Sequence, residues 1–436
     1  MKGFGRYLIH ILVFIAVMIM LYLFMVLMAA IPNTAISSNM RSSAMRYANA
    51  DRYTFTEDGN LQNVTDNHAD IMWLNISWHM GGRNVFVSAL DSEYYDDPKY
   101  SDTVELLLTV TKDAPANAAY TRYWHGTAGL LRFLHLFTDI QGIKTIGFLV
   151  LVLLIWNTLR QLLRHGHWDL GLCLAISLFL VQVWNLRLSV EYLPCFLICF
   201  ALCPVFLRLE RRGNYYVELL SVVSGTLTAF FDFLTTETVT ILIPLILLIA
   251  VRSKERRLSS PRRIFHLLLH CGLCWMIAYA GTFLLKWTAV SVITGVDHFG
   301  MALDSAAKRV SGTVVTGLVR KKPGVFMGIA ANLSAFFQGS SRTAYRQVIA
   351  YLILILLLIL VVYRLNQTSD KLRPGTVFLL LLGSLVLLRF GILANHSYMH
   401  AFFTYRALVS TVMAVLAVIT LNLWPQKKQG GHLKWR

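Results

Sequence analysis

A chain of 436 residues that is 56% apolar and only 14% charged is too hydrophobic for a soluble globular protein of average makeup, and reads as an all-α integral membrane protein. Its net charge of +17 lies in short connections beside apolar runs and not in one basic domain, which excludes nucleic acid as a partner and makes topology the source of the charge. All six cysteines (Cys173, Cys195, Cys199, Cys203, Cys271 and Cys274) fall inside apolar runs, so no disulfide framework is implied, and Cys271-Gly-Leu-Cys274 reads as packing.

The first apolar run, 7–31, is longer than a signal h-region and has no small-x-small cleavage site after it, so it reads as a retained anchor helix. The segment 32–140 follows and holds about half of the Asp and Glu of the chain. Within it, 63–80 reads as a helix with Ala69, Met72, Ile76 and Met80 on one stripe and Asp66 and Asp70 one turn apart on its edge. That pattern predicts a helix on the membrane surface with both carboxylates aimed at a neighbouring cavity. Residues 91–116 are polar and turn-rich, and His125 to Leu136 is a second amphipathic stretch.

Further runs able to cross about 30 Å of hydrocarbon as helix lie at 144–163, 169–184, 190–207, 216–233, 237–251, 264–286, 346–363, 376–394 and 402–424. Ten spans in a single polytopic domain, 1–436, are therefore predicted, with long connections at 32–140 and 292–345. An even number of spans puts both termini on one side, where the connections carry Arg208, Arg211, Arg212, Arg252, Arg257 and Arg263 among other cations. The positive-inside rule makes that side cytoplasmic and the two long segments external. In the second of these, Lys308, Arg309, Arg320, Lys321, Lys322 and Arg342 outnumber Asp297 and Asp304. They suit contact with lipid phosphates or a hold on an anionic lipid-linked substrate.

Four polar groups are expected to meet at the outer boundary, judged from their places relative to the span ends. The first is Asp66, His68 and Asp70, and the second contains Arg122, Tyr123, Trp124 and His125. The third runs from Asp232 to Glu237, and the fourth holds His396, Tyr398, His400, Tyr405 and Arg406. Ionisable groups at the edge of the hydrocarbon cost free energy and line cavities or pathways, as Asp232 and Arg406 would; a helix cap and a snorkelling cation are their structural alternatives. Two carboxylates one turn apart suit a general base and a partner that positions a hydroxyl or a divalent cation, against the plain alternative of a solvated helix face. Arg122, His125, His396, His400 and Arg406 suit an anionic leaving group. The aromatic faces of Tyr123, Trp124, Tyr398 and Tyr405 suit sugar rings and the membrane interface alike.

The layout of ten spans with a long acidic segment after the first resembles that of the GT-C membrane glycosyltransferases. Asp66-Asn-His-Ala-Asp70, Arg122-Tyr-Trp-His-Gly126, Phe231-Asp-Phe-Leu-Thr235 and His396-Ser-Tyr-Met-His400-Ala-Phe-Phe-Thr-Tyr-Arg406 are also similar to segments of multi-span proteins of Gram-positive bacteria. The resemblance implies an inverting glycosyltransferase of a bacterial plasma membrane. Such an enzyme moves a sugar from a polyprenyl-phosphate donor to a cell-envelope glycan or lipid acceptor on the non-cytoplasmic face. It implies Asp66 or Asp70 as base, with Arg122, His396, His400 and Arg406 around phosphate and sugar. The family's first acidic motif lies just after span 1, whereas here the first acid is Asp51 and Asp66 comes about 35 residues after Ile31. Either an insertion precedes the motif or the correspondence fails. The rival reading is a transporter or flippase of lipid-linked saccharide, for which mid-span charges and repeated halves are expected. Sequons stand at Asn63, Asn75, Asn332 and Asn395 and matter only in a eukaryotic lumen.

Overall fold

The computed structural model describes residues 3–55, 60–258, 260–316, 319–337, 363 and 374–423. The helices in chain order are α1 (Gly3–Ala29), α2 (Asn33–Tyr47), α3 (Asn67–His79), α4 (Val85–Asp91), α5 (Asp102–Lys112), α6 (Gly126–Leu134), α7 (Ile140–Arg164), α8 (Trp168–Leu180) and α9 (Pro194–Leu209). They continue with α10 (Asn214–Phe231), α11 (Val239–Lys254), α12 (Pro261–Thr294), α13 (His298–Ser311), α14 (Val325–Phe337), α15 (Pro374–Ile392), α16 (Ala394–Met399), α17 (Ala401–Thr404) and α18 (Val409–Leu423). Three two-stranded antiparallel sheets are the β-structure among the described residues.

Among the described residues, six helical stretches are long and apolar enough to cross a membrane: Gly5–Ala29, Ile140–Arg164, Val190–Arg212, Pro261–Thr294, Gly375–Ile392 and Ala401–Asn422. Their outward flanks are apolar. Leu8, Ile11, Leu12, Ile15 and Leu23 of α1, Leu149, Leu153 and Trp156 of α7, and Met276, Ile277 and Leu285 of α12 are all exposed. A belt of this extent has no place in water and faces lipid, so the chain is an all-α integral membrane protein. The opposite flank of α1 buries Met18, Leu21, Met25 and Ala29. One turn from its start, Arg6 pairs with Glu218 of α10, and His10 Nε2 lies 3.7 Å from the same carboxylate.

Three of the predicted spans take a different form. The runs at 169–184 and 237–251 are α8 and α11, with 13 and 16 residues. At 1.5 Å per residue these rise about 20 and 24 Å, short of the roughly 30 Å of hydrocarbon. Every residue from Val239 to Val251 is buried, because α9, α10, α15 and α18 all pack on α11; it is a central helix shielded from lipid. The run at 216–233 is α10, whose hydroxyls join it to its neighbours: Ser224 donates to Thr240 O (3.0 Å), Thr228 to Thr240 Oγ1 (2.9 Å), and Trp275 Nε1 of α12 to the same oxygen (3.1 Å). The predicted span at 346–363 and Arg342 lie outside the described residues, apart from Tyr363.

The α10 and α12 helices meet at Gly225, where a Cβ would stand 2.3 Å from the backbone oxygen of Trp275. Backbone cannot yield as a side-chain tip does. Gly225→Ala is therefore expected to cost about 1–3 kcal/mol through overpacking, read as a lower midpoint of unfolding in detergent; an unchanged midpoint would show that α10 and α12 slide apart freely.

The segment 32–140 folds as a cap of five helices, α2 to α6. Its central helix α3 differs from the expected surface helix. Ala69, Ile71, Trp73, Leu74, Ile76 and Trp78 are all buried, because α2, α5 and α6 enclose α3 on several sides. One apolar stripe marks a helix with one buried flank, and α3 has several. Arg132 of α6 fastens the cap to the end of α1: its guanidinium donates to Met28 O (3.0 Å), Ser77 O (2.6 Å), Ile31 O and Asn33 Oδ1 (2.8 Å). The segment 292–345, expected to be a long loop after the seventh span, contains the apolar helix α14 packed on α15 and α16. Its 13 residues are too few to span; Gly328, Asn332 and Ala335 face the protein while Val325 and Phe326 are exposed.

Candidate functional site

Asp66 opens α3. Its backbone is extended, and its carboxylate accepts the N–H of Ala69 at 3.0 Å, the capping role for which Asp is among the best residues. The residues just before α9 clamp this start. Ser189 Oγ accepts the Asp66 N–H (2.7 Å) and donates to Asp66 O (3.1 Å), and the Tyr192 hydroxyl donates to Val64 O (3.0 Å). Between them, the buried Glu191 carboxyl stands beside that of Asp66, close enough for each to act on the other. Asp66 is 3% exposed and Glu191 2%. Burial pushes the Asp66 carboxyl above the usual carboxylate range, against the lowering pull of the Ala69 N–H and of Glu191.

Asp70, one turn on, is fully buried and saturated. Lys144 Nζ of α7 lies 2.7 Å from Oδ2, the Tyr47 hydroxyl donates to the same oxygen at 2.9 Å, and the Val190 N–H donates to Oδ1 at 2.8 Å. Lys144 also donates to Leu188 O (2.8 Å). Asp70 thus joins the cap, α7 and the Ser189–Tyr192 segment instead of opening on a cavity. His68 turns outward to Asp102 and Arg52, which are themselves 3.3 Å apart.

Around this start of α3 stand cations and imidazoles from the second half of the chain. Arg406 is 1% exposed and has no carboxylate within 4 Å among the described residues. Its guanidinium lies 4.4 Å from the centre of the Tyr192 ring, and it donates to Gln62 O (3.1 Å) and Phe402 O (3.2 Å), while Nε is unpartnered. Tyr192 feels the charges of Glu191, Asp66 and Arg406 together, so Arg406 and the carboxyl pair occupy one neighbourhood. His396 and His400 have ring centres 4.7 Å apart, each with an unpartnered Nδ1. Burial pushes His400 down to about 3, helped by Arg309 and Arg389, and burial with the charges of His400, Arg389 and Arg309 holds His396 well below the usual range. Both rings are neutral at pH 7. Tyr398 is half-buried on the same short helix. Arg309 of α13 leans over Tyr123 of the cap, 5.7 Å from its ring centre.

The helix α13 has three flanks. His298, Ala302 and Arg309 face the protein, Asp304 and Lys308 face solvent, and Phe299, Leu303 and Val310 form an exposed apolar stripe. That stripe continues the exposed Val292, Ile293 and Val296 at the end of α12.

Other expected site residues are occupied by structure. Glu237 forms a buried two-pronged pair with Arg389, 2.7 and 3.1 Å, and Arg389 also donates to Ser397 Oγ (3.1 Å). Asp232 ends α10 and accepts the backbone N–H of Thr235 (3.0 Å) and its hydroxyl. Trp124 Nε1 donates to Thr282 O of α12 (2.6 Å). His125 accepts from Trp73 Nε1 at Nδ1 (3.1 Å) and donates from Nε2 to Tyr120 O (2.8 Å); burial, then the nearby Lys286 charge, push it down to about 3. Arg122 is half-buried over the Tyr120 ring at 4.6 Å. Of the sequon asparagines, Asn75 and Asn332 are buried with paired amides, and the Asn63 side-chain oxygen accepts from Asn185 at 2.7 Å.

The sequence reading overlooked Glu191, Lys144, Lys286 and Arg389. Each is a lone charge in an apolar run, the signal that marks ionisable groups held inside a membrane protein with a partner. Among the described residues, no three His, Cys, Asp or Glu side chains stand close enough to hold a metal ion. No family model, no curated protein and no solved structure matches this chain.

Proposed function

We propose that the protein is a membrane glycosyltransferase of the GT-C type. In this reading it has ten spans with both termini in the cytoplasm, and the cap formed by 32–140 lies on the non-cytoplasmic face. The donor is a polyprenyl-phosphate-linked sugar and the acceptor a glycan or lipid of the cell envelope. The observation that carries the reading is a buried, pushed-up carboxyl at Asp66 and, across the Tyr192 ring, a buried Arg406 with no carboxylate within 4 Å among the described residues. Perturbed acids and unpaired buried cations concentrate where charge moves during a reaction.

The step balances as follows. An acceptor hydroxyl oxygen bonds to the anomeric carbon as the bond from that carbon to the phosphate oxygen breaks. The bonding electrons leave with the phosphate, and the hydroxyl proton passes to the Asp66 carboxylate. Arg406, with Arg309, His396 and His400 nearby, supplies donors for the phosphate charge that develops. His68, Arg122 and Asp232 flank the acceptor side, while Asp70, Trp124, His125 and Glu237 hold the frame.

The test is direct. Purified protein in lipid nanodiscs, incubated with a panel of polyprenyl-phosphate sugars and envelope acceptors, should release free polyprenyl phosphate and glycosylated acceptor. Binding of a donor with no product for any pair would sink the transferase reading and leave the transporter or flippase.

A further inference from the structure

The chemistry of Asp66 was expected to involve Asp70, yet the carboxyl that touches it is Glu191. The Ser189–Tyr192 segment is zipped along the start of α3 residue by residue: Ser189 on the Asp66 backbone, Val190 on Asp70, and Tyr192 on Val64. This places the Glu191 side chain on Asp66 with little freedom. Among the described residues no N–H or hydroxyl donates to Glu191 Oε1, although the residue is buried. Two carboxyl groups in contact hold one proton between them, because two carboxylates at that separation repel. Asp70 has no such partner, since its oxygens are taken by Lys144, Tyr47 and Val190.

We propose that Glu191 is the positioning partner of the base, donating a hydrogen bond that holds the Asp66 carboxylate for proton transfer, so that Asp66 and Glu191 form the working acid pair. This rests on the transferase reading above. The pair begins the reaction with one proton, on Glu191, and ends it with two, the second having come from the acceptor hydroxyl. Around the pair stand Tyr53, His68 and Asp70 from the cap, with His68 on the Asp66 side, Asp232 from the end of α10 on the Glu191 side, Lys144 from α7 behind Asp70, and Tyr192 from the clamp with Arg406 over its ring. A neutral donor on Asp66 is the feature the mechanism needs, and an amide can supply it.

The experiment compares Glu191→Gln with Glu191→Ala in the full-length protein in nanodiscs. Glu191→Gln should stay within about tenfold of wild type and shift the acid limb of the pH–rate profile, while Glu191→Ala should lose roughly a hundredfold. A shifted limb is not something a packing role would produce. An Ala variant as active as wild type, or a Gln variant as inactive as the Ala variant, overturns the proposal. Infrared spectroscopy gives a second readout that needs no turnover. Wild type should show the carbonyl stretch of a protonated carboxyl that Glu191→Gln lacks, and an unchanged band overturns the pairing. Should wild type transfer no sugar at all, the transferase reading falls while the infrared comparison still decides the pair.

Discussion

Asp66→Asn is expected to abolish sugar transfer by a factor of roughly 10² to 10⁴, the contribution of a positioned base, without loss of fold. The side chain has two roles that pull apart under this substitution. Its capping role survives, because Asn accepts the Ala69 N–H as well as Asp does. Its role as proton acceptor does not, since an amide is no base at neutral pH. The stability effect has a defined sign. Burial raises the folded value of the Asp66 carboxyl, so folding favours its protonated form. The stability this contributes is present at low pH and is lost as pH rises through the interval between the unfolded and the raised folded value. At neutral pH the ionised side chain therefore works against folding, and the Asn variant should melt no lower than wild type. Turnover and melting temperature measured on one preparation check both halves. A variant that transfers sugar normally removes Asp66 from the chemistry.

Asp70→Asn should do the reverse. Lys144 is buried and loses the one carboxylate within 4 Å of it among the described residues, retaining Leu188 O and the Tyr47 ring. Breaking a buried pair by removing one partner costs about 3–5 kcal/mol, because the remaining charge stays out of water without compensation. The double variant Asp70→Asn/Lys144→Met removes both charges and should recover a large part of that loss. Unfolding in detergent, followed by tryptophan fluorescence, separates the three proteins. If Asp70→Asn unfolds at the wild-type midpoint, the pair does not hold the cap to α7. The two neighbouring aspartates, indistinguishable as residues on one helical edge, are thus distinguished by opposite responses to the same substitution.

The membrane class and most of the helices were legible because burial in lipid imposes long apolar runs that no soluble fold needs. Asp66 was legible as a residue of interest, though read on the edge of a helix at 63–80 and not as the cap that opens α3. What remained hidden was which side of α3 mattered. A period of 3.6 reports one boundary between apolar and polar surroundings, and α3 has protein on several sides, so Trp73 and Trp78 are as buried as Ala69 and Ile76. Trp124 read as a face for a sugar ring and His125 as a hold on an anionic group for a related reason. An indole or imidazole buried in packing must still satisfy its N–H, and these two do so on Thr282 and Tyr120, leaving no sign in the sequence. Glu191 and Lys144 were missed because single charges were absorbed into the hydropathy of their runs, although a charge that survives inside such a run requires a partner.

The contact between Arg6 and Glu218 carries a consequence for how the protein is made. The ribosome adds Arg6 212 positions before Glu218. For that interval the first helix enters the bilayer with its cation served only by water and lipid headgroups, and its buried flank has no α10 to meet. Order of synthesis therefore differs from order of assembly: α1 is made well before α10, and its final seat waits for a glutamate translated near the middle of the chain.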